Sequence, residues 1–166
     1  MQFLIRKMIE KDLNEAHFIY NYFIENSFSN FEENKISSRK FKSDYKKIIL
    51  KKLPYLVAEH KKNVVGFTYL KNYRSKSGYR YTFENSIYIH PEYTNRGIGS
   101  KLLKKLIYSS KKNKNIRNII AVIGDSGNKS SIKIHKKNGF KKIGILKKIG
   151  FKQDKWIDSV YMQLII

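Results

Sequence analysis

One acidic side chain sits where a strand rarely carries one. Glu84 lies inside Phe83-Glu84-Asn85-Ser86-Ile87-Tyr88-Ile89-His90, a run otherwise suited to a half-buried strand. Burying a carboxylate is unfavourable unless the group is paired or used. Two readings stay open on the residues alone. Glu84 forms an ion pair with Arg74 or Arg80, or it serves as a base that removes a proton from a bound substrate. Alternation puts Glu84, Ser86, Tyr88 and His90 on one face of the strand and Phe83, Asn85, Ile87 and Ile89 on the other.

Just downstream, Thr94-Asn95-Arg96-Gly97-Ile98-Gly99-Ser100 places two glycines two residues apart at the start of an amphipathic helix. Glycine permits positive φ and close backbone approach. The N–H groups from Asn95 to Ser100 can then converge on a pyrophosphate at the helix N-terminus. The plain alternative is an ordinary strand-to-helix turn. Upstream, Arg74 and Arg80 flank Gly78 in a polar loop. A guanidinium pairs two-pronged with a carboxylate or phosphinate, although two solvated loop charges would read the same way. Asn128 can cap a helix, and His135 inside that helix is either a packed histidine or a group that titrates near neutrality. No His/Asp/Glu cluster has metal-ligand spacing, and no Ser/His/Asp set stands out, so no metal is expected. The chain has no Cys, hence no thiol nucleophile and no disulfide.

These residues need elements to position them. Residues 2–7 read as a first strand. Asp12 and Glu15 resemble a capping box for a helix with Leu13, Ala16, Tyr20, Phe23 and Ile24 on one face. A loop over 27–36 carries Phe28 and Phe31. Ser37 or Ser38 can cap a second helix, with Phe41, Tyr45, Ile48 and Ile49 as its stripe. Strands at 55–60 and 64–72 form a hairpin, followed by the polar loop 73–80 and a strand at 81–90. The glycine turn leads into a helix at about 97–111, then a buried strand at 116–123. A helix at about 128–138 ends at Gly139. Strands at 140–146 and 157–165 close the chain. A helix between the 81–90 and 116–123 strands implies that these two run parallel.

The chain has 166 residues, which suggests one domain spanning 1–166. Its formal net charge is +22. The basic residues are mostly Lys, spread along the whole chain among Ile and Asn, while Arg is scarce. That is a compositional bias, not a nucleic-acid footprint, and nucleic acid is not the expected partner. The charge favours anionic ligands. No apolar run reaches membrane-spanning length, and Met1 to Leu13 lacks a signal-type apolar core, so a cytoplasmic location without membrane association is expected.

Three stretches carry a family resemblance: Ser77-Gly78-Tyr79-Arg80-Tyr81-Thr82-Phe83-Glu84-Asn85-Ser86-Ile87-Tyr88-Ile89-His90-Pro91, Arg96-Gly97-Ile98-Gly99, and Ala121-Val122-Ile123 with Asn128, Ser131, His135 and Gly139-Phe140. In this order the chain resembles the GCN5-related N-acetyltransferases. Trp156-Ile157-Asp158 with Met162-Gln163-Leu164 narrows the likeness to the phosphinothricin and methionine sulfone acetyltransferase branch. The resemblance implies a mixed α/β fold: a mostly antiparallel sheet flanked by helices, with a splayed parallel strand pair at the cofactor site. It implies acetyl-CoA as co-substrate, its pyrophosphate on Asn95, Arg96, Gly97, Ile98, Gly99 and Ser100. The pantetheine arm would lie along the main chain of Ile87, Tyr88 and Ile89, with Asn128 bonded to it. Glu84 would deprotonate the acceptor amine, and His135 would act as acid toward the leaving thiolate. Phe31, Arg74, Ser77, Gly78, Tyr79 and Arg80 would shape a pocket for a small amino-acid acceptor. A homodimer is implied as well, and Trp156 suits a core or an interface. Thr94 departs from the family's usual Gln or Arg at that place. Acetylation of a protein N-terminus, and a non-catalytic CoA-binding module, remain the alternatives.

Overall fold

The computed structural model describes residues 2–166. In chain order the elements are β1 (Leu4–Lys7), α1 (Leu13–Asn26), α2 (Ser38–Leu50), β2 (Tyr55–His60), β3 (Asn63–Asn72) and β4 (Thr82–Ile89). Then come α3 (Ile98–Lys111), β5 (Asn118–Gly124), α4 (Lys129–Lys137), β6 (Lys141–Lys152) and β7 (Lys155–Ile165). The seven strands form one sheet in the order β1-β2-β3-β4-β5-β7-β6. Every neighbouring pair is antiparallel except β4–β5, which is parallel, as a helical crossover requires.

Alternation along β3 and β4 divides the core into two layers. Phe67, Tyr69 and Tyr88 face α1 and α2, where Tyr20, Phe23 and Phe41 meet them ring against ring. Leu70, Phe83 and Asn85 face the other way, toward α3 and α4. On α3, Ile98, Leu102, Leu103 and Leu106 are fully buried at helical spacing. On α2 the expected stripe holds for Phe41, Tyr45 and Ile48, but Ile49 is exposed.

Several local expectations change. Asp12 and Glu15 do not make a capping box for α1. The Asp12 carboxylate accepts from Arg6 at 2.6 and 2.7 Å and from the Ile9 N–H at 2.9 Å. Arg6 also pairs with Glu59, so a cation outcompetes the helix end for the acid. Burial alone would raise the Asp12 pKa, but Arg6 and the Ile9 amide hold it below the usual carboxylate range. Glu15 instead accepts from the Val64 N–H and ties α1 to β3. Ser37 is the cap of α2, through the Lys40 N–H. β6 runs on to Lys152, well past 146, because the two-residue turn Gln153-Asp154 takes positive φ at both positions and lets β6 and β7 pair tightly.

Candidate active site

β4 and β5 pair only from Thr82–Asn118 to Asn85–Ala121. Beyond that each strand keeps its antiparallel neighbour and the two part. β4 stays on β3 as far as Ile89, and β5 stays on β7 as far as Gly124. The register fixes which main-chain groups face the gap. The His90 N–H bonds to the Val65 carbonyl, so His90, Tyr88 and Ser86 direct their main-chain groups at β3. Ile87 and Ile89 therefore direct theirs into the gap. On β5, the Asp125 N–H bonds to Asp158, so by the same count Val122 and Gly124 turn toward the gap. The gap thus presents two facing rows of extended backbone donors and acceptors that the sheet leaves unmatched. Of the expected trio, Ile87 and Ile89 offer their main chain to a ligand. Tyr88 does not: its main chain belongs to the β3 ladder, and its hydroxyl accepts from Asn30 inside the core.

A cavity of about 550 Å³ runs through this gap. Toward α1 its wall includes Tyr20, Phe31, Glu32, Tyr69, Lys71, Glu84 and Ser86, and toward α4 it includes Asn128, Ser131, Ile134 and His135. Glu84 is partly buried and pairs with Lys71, directly opposite on β3, at 3.0 Å. The expected alternative partners, Arg74 and Arg80, do not reach it. Arg74 stacks over Tyr73 and Tyr79, and Arg80 over Tyr81 at 4.6 Å while donating to the Ser77 carbonyl. Ser77, Gly78 and Tyr79 form an exposed 3-10 turn. Of the residues expected to shape an acceptor pocket, only Phe31 lines the cavity. The 73–80 loop lies outside it, with its arginines over neighbouring tyrosines.

The turn before α3 closes one end of the gap. Asn95 and Gly97 take positive φ, 60° and 76°. The first α-helical bond is Lys101 N–H to Gly97 O at 3.2 Å, so the N–H groups of Ile98, Gly99 and Ser100 have no partner within the helix. A Cβ on Gly99 would meet Ile134 at 3.2 Å and Ile87 and Ile89 at 3.8 Å. Glycine there lets the helix end sit against both β4 and α4. Arg96 lies over the Tyr93 ring, and the Thr94 hydroxyl donates to the Pro91 carbonyl at the cavity rim. Ser100 accepts from Asn138. Asn128 caps α4 by accepting from the Ser131 N–H at 3.1 Å.

His135 is buried against the edge of Phe140. Its Nδ1 lies 2.7 Å from the Ser131 carbonyl and its Nε2 3.0 Å from the Asn85 amide nitrogen. A carbonyl can only accept, so Nδ1 carries the proton and Nε2 accepts from Asn85. Burial lowers the ring's pKa, against a smaller opposing pull from Ser131, and the neutral form is favoured. Asn85 was not among the expected site residues, yet its Oδ1 is buried without a hydrogen-bond partner beside the cavity. An amide in a strand is itself a weak warning sign, of the same kind as Glu84. Lys71 and Asn30 were missed too, since only the three-dimensional register brings them to Glu84 and Tyr88. Among the described residues, no group of three or more His, Cys, Asp or Glu side chains could hold a metal ion.

An exposed double row of backbone groups beside a helix N-terminus, with a carboxylate at the mouth, suits a ligand with an amide-bearing arm and a phosphate. Comparison with known proteins agrees. Residues 5–161 match the model of the acetyltransferase (GNAT) domain. The chain is 37% identical to the phosphinothricin N-acetyltransferase of Alcaligenes faecalis, over 96% of this chain and 80% of that protein. A phosphinothricin acetyltransferase from Sinorhizobium meliloti, solved in complex with AcCoA, superposes with a TM-score of 0.93 at 32% identity, covering 100% of this chain and 89% of that one. A ribosomal-protein-alanine N-acetyltransferase from Brucella melitensis superposes with a TM-score of 0.94 at 32% identity, covering 98% and 99%. The matched family model, the identity across the chain and the parted β4–β5 pair converge: this chain belongs to the GNAT family of acetyltransferases.

Proposed function

We propose that the protein transfers the acetyl group of acetyl-CoA to the α-amino group of a small amino acid, or of an analogue bearing a phosphinate or sulfone. The observation that carries this reading is the joining of two half-sites through one cavity. The open backbone of Ile87 and Ile89 beside the α3 N-terminus serves the donor, and Glu84 among Tyr20, Phe31 and Lys71 serves the acceptor. Acetyl-CoA supplies an activated acyl group as a thioester. The residues do the rest. The N–H groups from Asn95 to Ser100 hold the pyrophosphate, with Thr94 in place of a longer polar side chain. The main chain of Ile87 and Ile89 pairs with the pantetheine amides, and Asn128 lies where it can reach the same arm. Glu84 takes the proton from the acceptor ammonium, directly or through a water, and the neutral amine attacks the thioester carbonyl; the C–S bond breaks, CoA leaves as a thiolate, and the proton shed by the new amide nitrogen neutralises it. Lys71 steadies the carboxylate and offers a positive charge to an acceptor carboxylate. Tight placement of both reactants supplies much of the rate.

His135 takes a different part from the acid expected on resemblance. A neutral ring that accepts at Nε2 holds the Asn85 amide in place; it does not deliver a proton. Loop 73–80 contributes no direct contact within one chain. A homodimer fits the surface of β6 and β7, where Ile143, Ile149, Phe151 and Trp156 are all exposed. A free cofactor as donor favours a cytoplasmic setting.

The test is thiol release from acetyl-CoA across a panel of amino acids, phosphinothricin, methionine sulfone, and peptides beginning with alanine. Turnover with the free amino acids or their analogues is the expected result. Turnover confined to the peptides would replace this reading with N-terminal acetylation, which the Brucella melitensis likeness makes the competing case. Silence across the panel would remove both. Sedimentation of the purified chain decides the dimer.

A further inference from the structure

Lys152 is a fully buried cation, 1% exposed at the end of β6. Among the described residues no carboxylate lies within ion-pair distance of it; Glu33 and Glu32 act on it only from further away. Its ammonium donates to two main-chain carbonyls of the segment after α1: Ser27 at 2.9 Å and Asn30 at 2.6 Å. A buried, unpaired cation is unfavourable unless its hydrogen bonds are needed. An apolar side chain would serve mere packing better.

The surroundings repeat the same contact. Gln153, next in the turn, donates to the Glu25 carbonyl at 2.8 Å. Lys155 lies over the Phe28 ring at 5.8 Å. A Cβ on Gly150 would overlap the Phe31 ring, and one on Gly124 would overlap the Phe28 carbonyl. Four positions on β5, β6 and β7 thus bear on the 27–32 segment, two of them by having no side chain, and Gln153 holds the last turn of α1 just before it. That segment supplies Ser29, Asn30, Phe31 and Glu32 to the cavity wall on the Glu84 side.

We infer that Lys152 is a positioning residue: it clamps the 27–32 segment to the β6–β7 hairpin and thereby sets the wall against which the acceptor is held. This rests on the acceptor reading of the cavity given above. Lysine suits the task because a compact ammonium on a slim stem can reach two carbonyls at once, whereas a planar guanidinium needs more room. Asn30 also donates to the Tyr88 hydroxyl in the core, but among the described residues the main chain of Ile87 and Ile89 and the α3 N-terminus share no hydrogen bond with the clamp.

The full-length protein with Lys152→Met, and separately Gly150→Ala, tests this by two readouts. In hydrogen exchange, amides of residues 27–32 exchange faster in Lys152→Met while those of β4 and α3 keep their protection. In steady-state kinetics, kcat/KM for the acceptor falls by about a hundredfold, the size expected for a shift of about 1 Å in a reactant's wall. KM for acetyl-CoA stays within about twofold of the wild type. Gly150→Ala, which pushes on Phe31 without touching the ammonium, reproduces the acceptor loss, and Lys152→Gln, which keeps a donor, restores part of it. Unchanged exchange over 27–32 overturns the clamp whatever the activity. Equal losses toward both substrates reduce Lys152 to general stability and overturn its positioning role. If the wild type acetylates nothing on the panel, the proposed function fails, while the exchange measurement still decides the clamp.

Discussion

Glu84→Gln separates chemistry from architecture at a single atom. Glutamine keeps the shape of the side chain and leaves the β3–β4 and β4–β5 pairing intact, but it cannot accept a proton. The structure sets what else is lost. The ion pair with Lys71 joins a carboxylate that is 20% exposed to an ammonium that is 48% exposed. A pair so open to solvent contributes about 0.5 kcal/mol, and less in salt. For a chain of this size that corresponds to about 1–2 °C in Tm. Loss of a positioned base costs about a hundredfold to ten-thousandfold in rate, or about 2.7 to 5.4 kcal/mol of activation free energy. The two scales are far enough apart to be told from one another. The expected outcome is a collapse of kcat with Tm nearly unmoved and with KM for acetyl-CoA within about threefold of the wild type. Thiol release, thermal unfolding and equilibrium binding of CoA measure the three. Lys71→Met is the control: it removes the same ion pair but keeps the carboxylate, so its loss in kcat must be smaller. Glu84→Gln retaining more than about a tenth of wild-type kcat would refute the assignment of the base.

Gly97→Asp adds a side chain at φ 76°, strained for an L-residue by about 1–2 kcal/mol, and sets a negative charge beside the helix N-terminus. Acetyl-CoA affinity falls at least about tenfold with acceptor KM unchanged, and unaltered CoA binding by calorimetry would remove the phosphate assignment from this turn. Burial holds the His135 pKa below its unfolded value near 6.5. Between the two values the unfolded chain binds a proton that the folded chain does not, so stability is lost as pH falls through about 6.5. Urea midpoints at pH 7.5 and 5.5 show this, and His135→Asn flattens the difference; an equal slope in the variant would refute it. Arg6→Met strands the buried Asp12 carboxylate, and unfolding free energy in urea drops by about 3 kcal/mol at neutral pH, with no selective effect on either KM.

What could be read from the chain follows the range of the forces involved. Helices and strands came from apolar periodicity over a few residues, and the parallel pair from the helix between 81–90 and 116–123. Asn128 and Gly139 behaved as caps because capping is local. Alternation alone put Glu84 and Asn85 on opposite faces of β4, and the register bears that out. The contest for Asp12 was not legible: β1–β2 pairing sets Arg6 beside Glu59, and the guanidinium so held makes charge-assisted bonds to Asp12 that outweigh a helix cap. The ion-pair partner of Glu84 was not legible for the same reason. Arg74 and Arg80 are near in sequence, but Lys71 is opposite in register, across a connection too long to fix pairing in advance. Lys152 looked like one more lysine in a lysine-rich chain, since nothing within ten residues of it shows that it folds under Ser27 and Asn30.

The site itself comes from two neighbouring strands that each follow a different antiparallel partner. Past Asn85 and Ala121, β4 and β5 each have a longer antiparallel partner available, and β5 keeps seven registered pairs with β7 while β4 keeps seven with β3. Antiparallel pairing is slightly the more favourable per residue, so the short parallel seam is the one that opens. Gly99 then lets the α3 terminus press against Ile87, Ile89 and Ile134, and the seam is held apart by a helix end that cannot itself satisfy strand N–H and C=O groups. Such groups are left to water until an extended, amide-bearing molecule lies between the strands. The same opening places Glu84 and the Asn85–His135 pair on opposite sides of one cavity, and on the function proposed above a donor threaded through the gap would meet the acceptor beside Glu84.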